Sequence, residues 1–213
     1  MSRLLIFDLD GTLLNTLGDL AACCNEVLEA HGYPTHSLER YTDFIGNGVR
    51  RLVERALPDE ARQPERVELL LQEFKRLYTR EIDRYTQPYE GVLPLLQELA
   101  RRQVPMAILS NKFQAGVDSL VARFFPHIPF VACCGQRPDW PLKPDPAADL
   151  ALLARAGVSA DQALHVGDSP VDVATARAAG IPSVGVSWGF SPEEQLLEAD
   201  HLIHHPEELL LLL

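Results

Sequence analysis

The sequence predicts an α/β fold: a doubly wound parallel sheet, covered on both faces, with an all-helical segment inserted near its beginning. Three observations carry this expectation. Short aliphatic runs recur at 4–7, 106–109, 163–166 and 183–186, each running into turn-forming residues and then a helical pattern. Strands that alternate with long helical patterns make parallel βαβ units. Between residues 15 and 87 that alternation stops, and helix follows helix with no convincing strand.

The elements follow in chain order. The first apolar run, 4–7, is a strand. The pattern over 19–31 is a helix ended by Gly32 and Pro34, that over 48–57 is a helix ended by Pro58, and that over 65–84 is a longer third helix. So much all-helical chain suits a cap over the sheet better than a crossover within it, which divides the chain into a core of residues 1–14 and 88–213 and a cap of 15–87. Farther on, Asp145 is placed to cap a helix and Pro146 to occupy its first turn. Lys143 precedes Pro144, which keeps it extended in a defined loop. At the end, Pro206 and the acids Glu207 and Glu208 start a helix that closes on five leucines, 209–213. Five consecutive leucines cannot all face one core, which leaves a homodimer contact open there.

Composition narrows the function. The chain has 213 residues, with 30 acidic side chains against 19 Lys and Arg, for a net charge of −11. That balance, without basic clusters, excludes nucleic-acid binding. The opening apolar run is too short for a signal peptide or a membrane span, so the expected location is the cytoplasm. The cysteines fall as vicinal pairs, Cys23 with Cys24 and Cys133 with Cys134, lacking the spacing of a zinc site or a redox dithiol; they read as reduced, buried thiols. His201, His204 and His205 cluster near the end, but no cysteine or carboxylate pattern completes a ligand set around them.

In open α/β sheets, ligands sit beyond the carboxyl ends of the strands. Three such ends are polar here: Asp8-Leu9-Asp10-Gly11-Thr12, Ser110-Asn111-Lys112, and Asp168-Ser169-Pro170-Val171-Asp172. The fold would gather four aspartates. Carboxylates that close together repel one another unless protonated, paired with a base or bound to a cation, and their hard oxygens suit Mg²⁺ completed by waters and a phosphate oxygen. Lys143 adds a positive charge. The combination implies phosphoryl chemistry on a small phosphorylated metabolite.

With Lys143-Pro144 and Gly167-Asp168 included, these segments form four motifs in order, and the sequence resembles the haloacid dehalogenase superfamily phosphatases, most closely the bacterial phosphoglycolate phosphatase group. Phe44-Ile45-Gly46-Asn47-Gly48-Val49 and Gly185-Val186-Ser187-Trp188-Gly189 extend the likeness along the chain. The resemblance implies a Rossmann-like core with a helical cap. It implies Asp8 as a nucleophile that forms an aspartyl-phosphate, and Asp10 as the acid for the leaving alkoxide and then the base for water. It implies Mg²⁺ held by the Asp8 carboxylate, the Asp10 backbone carbonyl and Asp168, with Asp172 either a ligand or a support behind the ligands. Ser110 and the Asn111 amide would hold phosphate oxygens at a helix N-terminus, and Lys143 would stabilise the transferring group. The second aspartate separates a phosphatase from a true dehalogenase, whose halide leaves without a proton.

Three features stay open. Lys112 either meets a substrate carboxylate or lies on the surface near a helix start. Gly46, Asn47 and Gly48, with Arg50 and Arg51 close behind, either receive a small carboxylate such as that of 2-phosphoglycolate or form a turn before an arginine-bearing helix. Trp188 either lines the site or packs ordinarily. The rival functions are a sugar-phosphate or pyrophosphate phosphatase, a phosphomutase, and a non-catalytic receiver-like domain that accepts phosphate on Asp8; the cap and Asp10 argue against the last.

Overall fold

The computed structural model describes residues 3–137 and 140–213. The chain starts with β1 (Leu4–Phe7) and β2 (Leu14–Asn15), then rises through α1 (Leu17–Ala30), α2 (Val49–Ala56) and α3 (Pro64–Arg80). It returns by β3 (Gln87–Pro88) into α4 (Val92–Arg101), β4 (Met106–Phe113), α5 (Gln114–Phe124) and β5 (Phe130–Gln136). There follow α6 (Ala147–Ala156), β6 (Ala163–Gly167), α7 (Pro170–Ala179), β7 (Ser183–Val186), β8 (His201–Ile203) and a 3₁₀ turn over Pro206–Leu212.

The main sheet has the order β5-β4-β1-β6-β7-β8, and every pairing in it is parallel. β1 is central and buried on both faces, which is why its four residues are continuously apolar. Leu5 and Phe7 point to the face that also buries Leu96 of α4 and Val117 of α5. Leu4 and Ile6 point to the other, with Leu152 and Leu153 of α6. Each such side chain contributes about 1.5–3 kcal/mol by burial. After β5 the chain crosses back to β6 on the far side of β1, so polar residues at the ends of β1, β4 and β6 converge at a reversal of strand order.

The inserted helices bury one face each. In α3 that face is Val67, Leu70, Leu71, Phe74 and Tyr78, at helical spacing, and it meets Cys23, Cys24, Val27 and Leu28 of α1. The chain leaves and re-enters the core side by side: Leu14 pairs with Pro88 and Asn15 with Gln87 in a two-stranded antiparallel ladder. Asp19, buried at the start of α1, closes this hinge by accepting hydrogen bonds from the Tyr85 and Thr86 backbone N–H groups at 2.9 and 2.8 Å and from the Thr86 hydroxyl at 2.6 Å.

Several expectations are corrected. The strand expected at 106–109 continues to Phe113, so Ser110 and Asn111 lie inside β4 and not at a helix N-terminus; a register irregularity against β5 lets these polar residues continue the strand. β5 and β8 are edge strands that the apolar runs do not mark. Pro146 caps α6 from outside its first turn, while Asp145 accepts from the Ala147 N–H at 2.9 Å. The closing helix is 3₁₀: Leu209 is buried, Leu210 and Leu212 pack on the core, and Leu211 and Leu213 are exposed. Cys23, Cys24 and Cys134 are buried and Cys133 half-buried, all free, and burial pushes the Cys23, Cys24 and Cys133 thiols up to about 12, 11 and 11. Among the described residues no helix is long and apolar enough to cross a membrane.

Candidate active site

The loop after β1 folds back tightly. Asp8 extends the sheet pairing through its N–H to the Val166 carbonyl at 2.9 Å, and the Leu13 and Leu14 N–H groups both return to the Leu9 carbonyl. Gly11 makes the turn at φ +91°, where a Cβ would stand 2.2 Å from an Asp168 oxygen. On the other side, a Cβ on Gly189 would lie 2.2 Å from the Asp168 Cβ. Asp168 is seated between two glycines, and no larger residue leaves room for it. Its oxygens accept from the Thr12 hydroxyl at 3.1 Å and the Phe190 N–H at 2.8 Å. Trp188 locks the same loop by donating from Nε1 to the Thr12 carbonyl at 3.0 Å, so its part is packing around the site.

Asp172 stands in the first turn of α7, where it and Ser169 form a reciprocal cap: the Ser169 hydroxyl and N–H donate to Asp172 Oδ2 at 2.6 and 3.1 Å. Its other oxygen accepts from Lys143 Nζ at 2.6 Å, and Lys143 Nζ also lies 2.9 Å from Asp8 Oδ1. Lys143 is held there by Asn111, whose Oδ1 accepts from the Lys143 N–H at 2.8 Å and whose Nδ2 donates to the Lys143 and Gly46 carbonyls at 3.1 and 3.2 Å. The Asn111 side chain thus joins β4, the lysine loop and the cap, and its amide group is already engaged.

Asp10 turns away from this cluster. Its carboxylate accepts from Lys112 Nζ at 2.8 and 3.0 Å and from the Thr16 hydroxyl at 2.7 Å. Lys112 is buried, with its ammonium 4.6 Å from the centre of the Tyr78 ring of α3, so it is not a surface lysine. Sequence reasoning missed Tyr78, because a tyrosine at helical spacing reads as core.

The charges explain one another. Asp8, Asp168 and Asp172 bring carboxylate oxygens within 4.8 Å of one another, all buried, the one such group of potential metal ligands among the described residues. Burial raises Asp8 to about 6, with Asp172 and Asp10 adding to it against the pull of Lys143. Burial likewise raises Asp168 to about 8, with Asp172 and Asp8 adding. For Asp172 burial is outweighed by Lys143 and His165, which hold its carboxyl well below the usual range. Burial alone would depress Lys143, but Asp172 and Asp8 hold it above its ordinary value. Lys112 matches Asp10, while Asp8 and Asp172 share Lys143 and Asp168 has no cationic side chain paired with it among the described residues, so ionising all three leaves negative charge that the side chains do not balance. Asp8 Oδ1 receives no hydrogen bond beyond that ion pair. Hard oxygen donors, an under-satisfied carboxylate and this excess fit a single divalent cation.

Above the cluster, a cavity of about 370 Å³ runs between core and cap, lined from the cap by Ile45, Gly46, Asn47, Gly48, Arg55 and Phe74 among others. Gly46 and Gly48 both have positive φ, +94° and +83°. Of the two arginines proposed from sequence, Arg50 pairs with Glu68 and Arg51 with Glu54; both are exposed and line a neighbouring cleft in place of this cavity. Arg55 is the arginine that lines it. Its guanidinium donates to the Asp43, Phe44 and Ile45 carbonyls at 3.3, 3.1 and 3.4 Å and to Asn47 Oδ1 at 2.8 Å. The signal was available, since residue 55 is two helical turns from Gly48 on the same face and helix side chains lean toward the N-terminus.

Clustered carboxylates and a fixed lysine beneath a lidded cavity of metabolite size suit the binding of a small anion together with a cation. The haloacid dehalogenase-like hydrolase family matches residues 5–186, and the chain belongs to that family. It is 35% identical to phosphoglycolate phosphatase 1 of Pseudomonas aeruginosa over 207 residues, which is 93% of this chain and 74% of that protein. It is 36% identical to the phosphoglycolate phosphatase of Mesorhizobium japonicum over 194 residues, 90% of this chain and 86% of that one. Among solved structures, a predicted phosphoglycolate phosphatase from Haemophilus somnus matches with a TM-score of 0.91 at 27% identity, over 99% of this chain and 97% of that chain. These relatives put the chain among the family's phosphatases, which are phosphoric monoester hydrolases using a divalent metal.

Proposed function

We infer that the chain is a Mg²⁺-dependent phosphomonoesterase that hydrolyses 2-phosphoglycolate to glycolate and phosphate through an aspartyl-phosphate on Asp8. The arrangement of Asp8, Lys143, Asp168 and Asp172 beneath the cap carries the reading. Asp8, Asp168 and the Asp10 backbone carbonyl would hold the metal, with Asp172 beside them; when bound, it supplies positive charge that offsets repulsion between the nucleophile and the phosphate.

The chain's own residues do the rest. Lys143, anchored by Asn111, holds an Asp8 oxygen and neutralises charge on the transferring group. Ser110, buried in β4 and lining the cavity, would donate to a phosphate oxygen. Asp8 attacks phosphorus as the bond to the glycolate oxygen breaks, and Asp10 gives that oxygen a proton. Asp10 then takes a proton from the water that attacks the same phosphorus, and Asp8 leaves as a carboxylate. At rest Lys112 occupies both Asp10 oxygens. A substrate carboxylate that draws Lys112 away frees Asp10 to carry the proton, which couples turnover to a second anionic group on the ester. Residues 15–87 act as the cap, and its closure, with Gly46, Asn47 and Gly48 over the substrate, excludes bulk water.

Phosphate release from 2-phosphoglycolate, a panel of sugar phosphates and pyrophosphate, each with Mg²⁺ and with chelator, tests this. Release that needs Mg²⁺ and favours 2-phosphoglycolate is expected. Preference for a sugar phosphate or pyrophosphate overturns the substrate, isomerisation without free phosphate makes the enzyme a mutase, and no release from any ester removes the hydrolase reading.

A further inference from the structure

Behind the carboxylate cluster lies a fully buried polar pair that the chemistry above does not use. His165, in β6, and Asp149, in the first turn of α6, are both sealed from solvent, and His165 Nδ1 stands 3.0 and 3.1 Å from the two Asp149 oxygens. The other ring nitrogen, Nε2, is buried without a hydrogen bond and faces Asp172 Oδ1 at 3.5 Å. That oxygen is the one that holds Lys143. Two helix starts, those of α6 and α7, therefore bring a carboxylate to each side of one imidazole.

We propose that Asp149 and His165 form a positioning pair that fixes the Asp172 carboxylate, and through it Lys143 and the metal-binding aspartates. Asp149 sets the ring by accepting from Nδ1, which aims the Nε2 edge at Asp172 Oδ1. Ser169 already holds Asp172 Oδ2, so contact from His165 leaves the carboxylate no free rotation. The pair acts by geometry: it orients the cluster from behind and touches neither substrate nor metal. A hydrophobic pair in the same space would pack as well and orient nothing. Outer partners that orient ligating carboxylates typically account for 10- to 100-fold in metal affinity.

The inference rests on the metal-dependent reading above, and its test separates the two. Mg²⁺ affinity is measured by calorimetric titration of wild type, Asp149→Asn, His165→Phe, His165→Gln and the double variant Asp149→Leu/His165→Phe, alongside kcat, KM and thermal melting. The double variant leaves no unpaired buried charge, so it keeps the test open if His165→Phe fails to fold. The expected result is Mg²⁺ affinity weakened about 10- to 100-fold in His165→Phe and in the double variant. In Asp149→Asn/His165→Phe, measured alongside to complete the cycle, the loss equals that of His165→Phe alone, since the two act as one unit. His165→Gln, which keeps one donor, recovers part of the affinity, and KM at saturating Mg²⁺ does not move, because His165 touches no substrate. Unchanged Mg²⁺ affinity in the folded double variant, or losses that simply add, overturns the pair. Wild type that binds no Mg²⁺ fails the metal reading instead.

Discussion

Metal binding to this cluster must compete with protons, and the structure sets the size of that competition. Without metal, Asp8 titrates at about 6 and Asp168 at about 8, both raised chiefly by burial. A divalent cation needs both ionised. At about pH 5, ionising them costs roughly one unit for Asp8 and three for Asp168, each unit being about 1.36 kcal/mol. At about pH 8, Asp8 is already charged and Asp168 about half charged. Apparent Mg²⁺ affinity should therefore be about 10³- to 10⁴-fold weaker at pH 5 than at pH 8, roughly 4–5 kcal/mol. Stability without metal runs in the opposite direction. A carboxylate whose folded pKa lies above its unfolded value stabilises the fold below that value and loses this as pH rises through the folded pKa. The metal-free protein thus loses stability between about pH 4 and pH 8, and Mg²⁺ raises its melting temperature most at the alkaline end. Titration calorimetry in buffers of different ionisation enthalpy counts the protons: nearly two released per ion at about pH 5 and about half of one at pH 8. Affinity that does not vary with pH, or binding that releases no protons, refutes the reasoning.

Three further outcomes follow from the same geometry. Asp19→Ala leaves two backbone N–H groups and the Thr86 hydroxyl without their acceptor at the hinge, and should cost about 3–5 kcal/mol in denaturant unfolding. Gly189→Ala drives a methyl into Asp168, so Mg²⁺ affinity in a calorimetric titration should fall at least about tenfold while the far-UV circular dichroism spectrum stays native. Arg55→Ala releases the 43–47 loop at the cavity and should raise KM for 2-phosphoglycolate about tenfold, whereas Arg50→Ala and Arg51→Ala, whose partners are Glu68 and Glu54, should leave KM within about twofold in steady-state assays.

What the sequence disclosed and what it hid divide along physical lines. The buried strands β1, β6 and β7 are apolar because both faces are covered, so their runs stand out. β5 and β8 pair on one side only, tolerate small or polar residues such as Ala132, Gly135 and His201, and carry no such run. The cap helices were legible from their periodicity. Asp8, Asp168 and Lys143 converge because each sits at a strand end or in the loop beside it, and Asp172 because it stands in the first turn of the helix that follows β6, placements that topology dictates. Side-chain partners were not legible: that Lys112 lies on Asp10 and that Asn111 braces Lys143 depend on rotamers and on the angle of the cap, whereas helical spacing from Gly48 could have singled out Arg55 over Arg50. Asp149 and His165 stayed hidden because neither belongs to a strand-end motif, and a lone histidine within a strand reads as core.

The most direct test of the account is to look for the phosphoryl group on Asp8. The protein is mixed with 2-phosphoglycolate and Mg²⁺, quenched in acid within a turnover, digested and read by mass spectrometry. A phosphorylated peptide with the modification on Asp8, absent from Asp8→Asn and from enzyme treated with chelator, is the predicted result. Turnover by wild type that leaves Asp8 unmodified, together with phosphate release undiminished in Asp8→Asn, would contradict it.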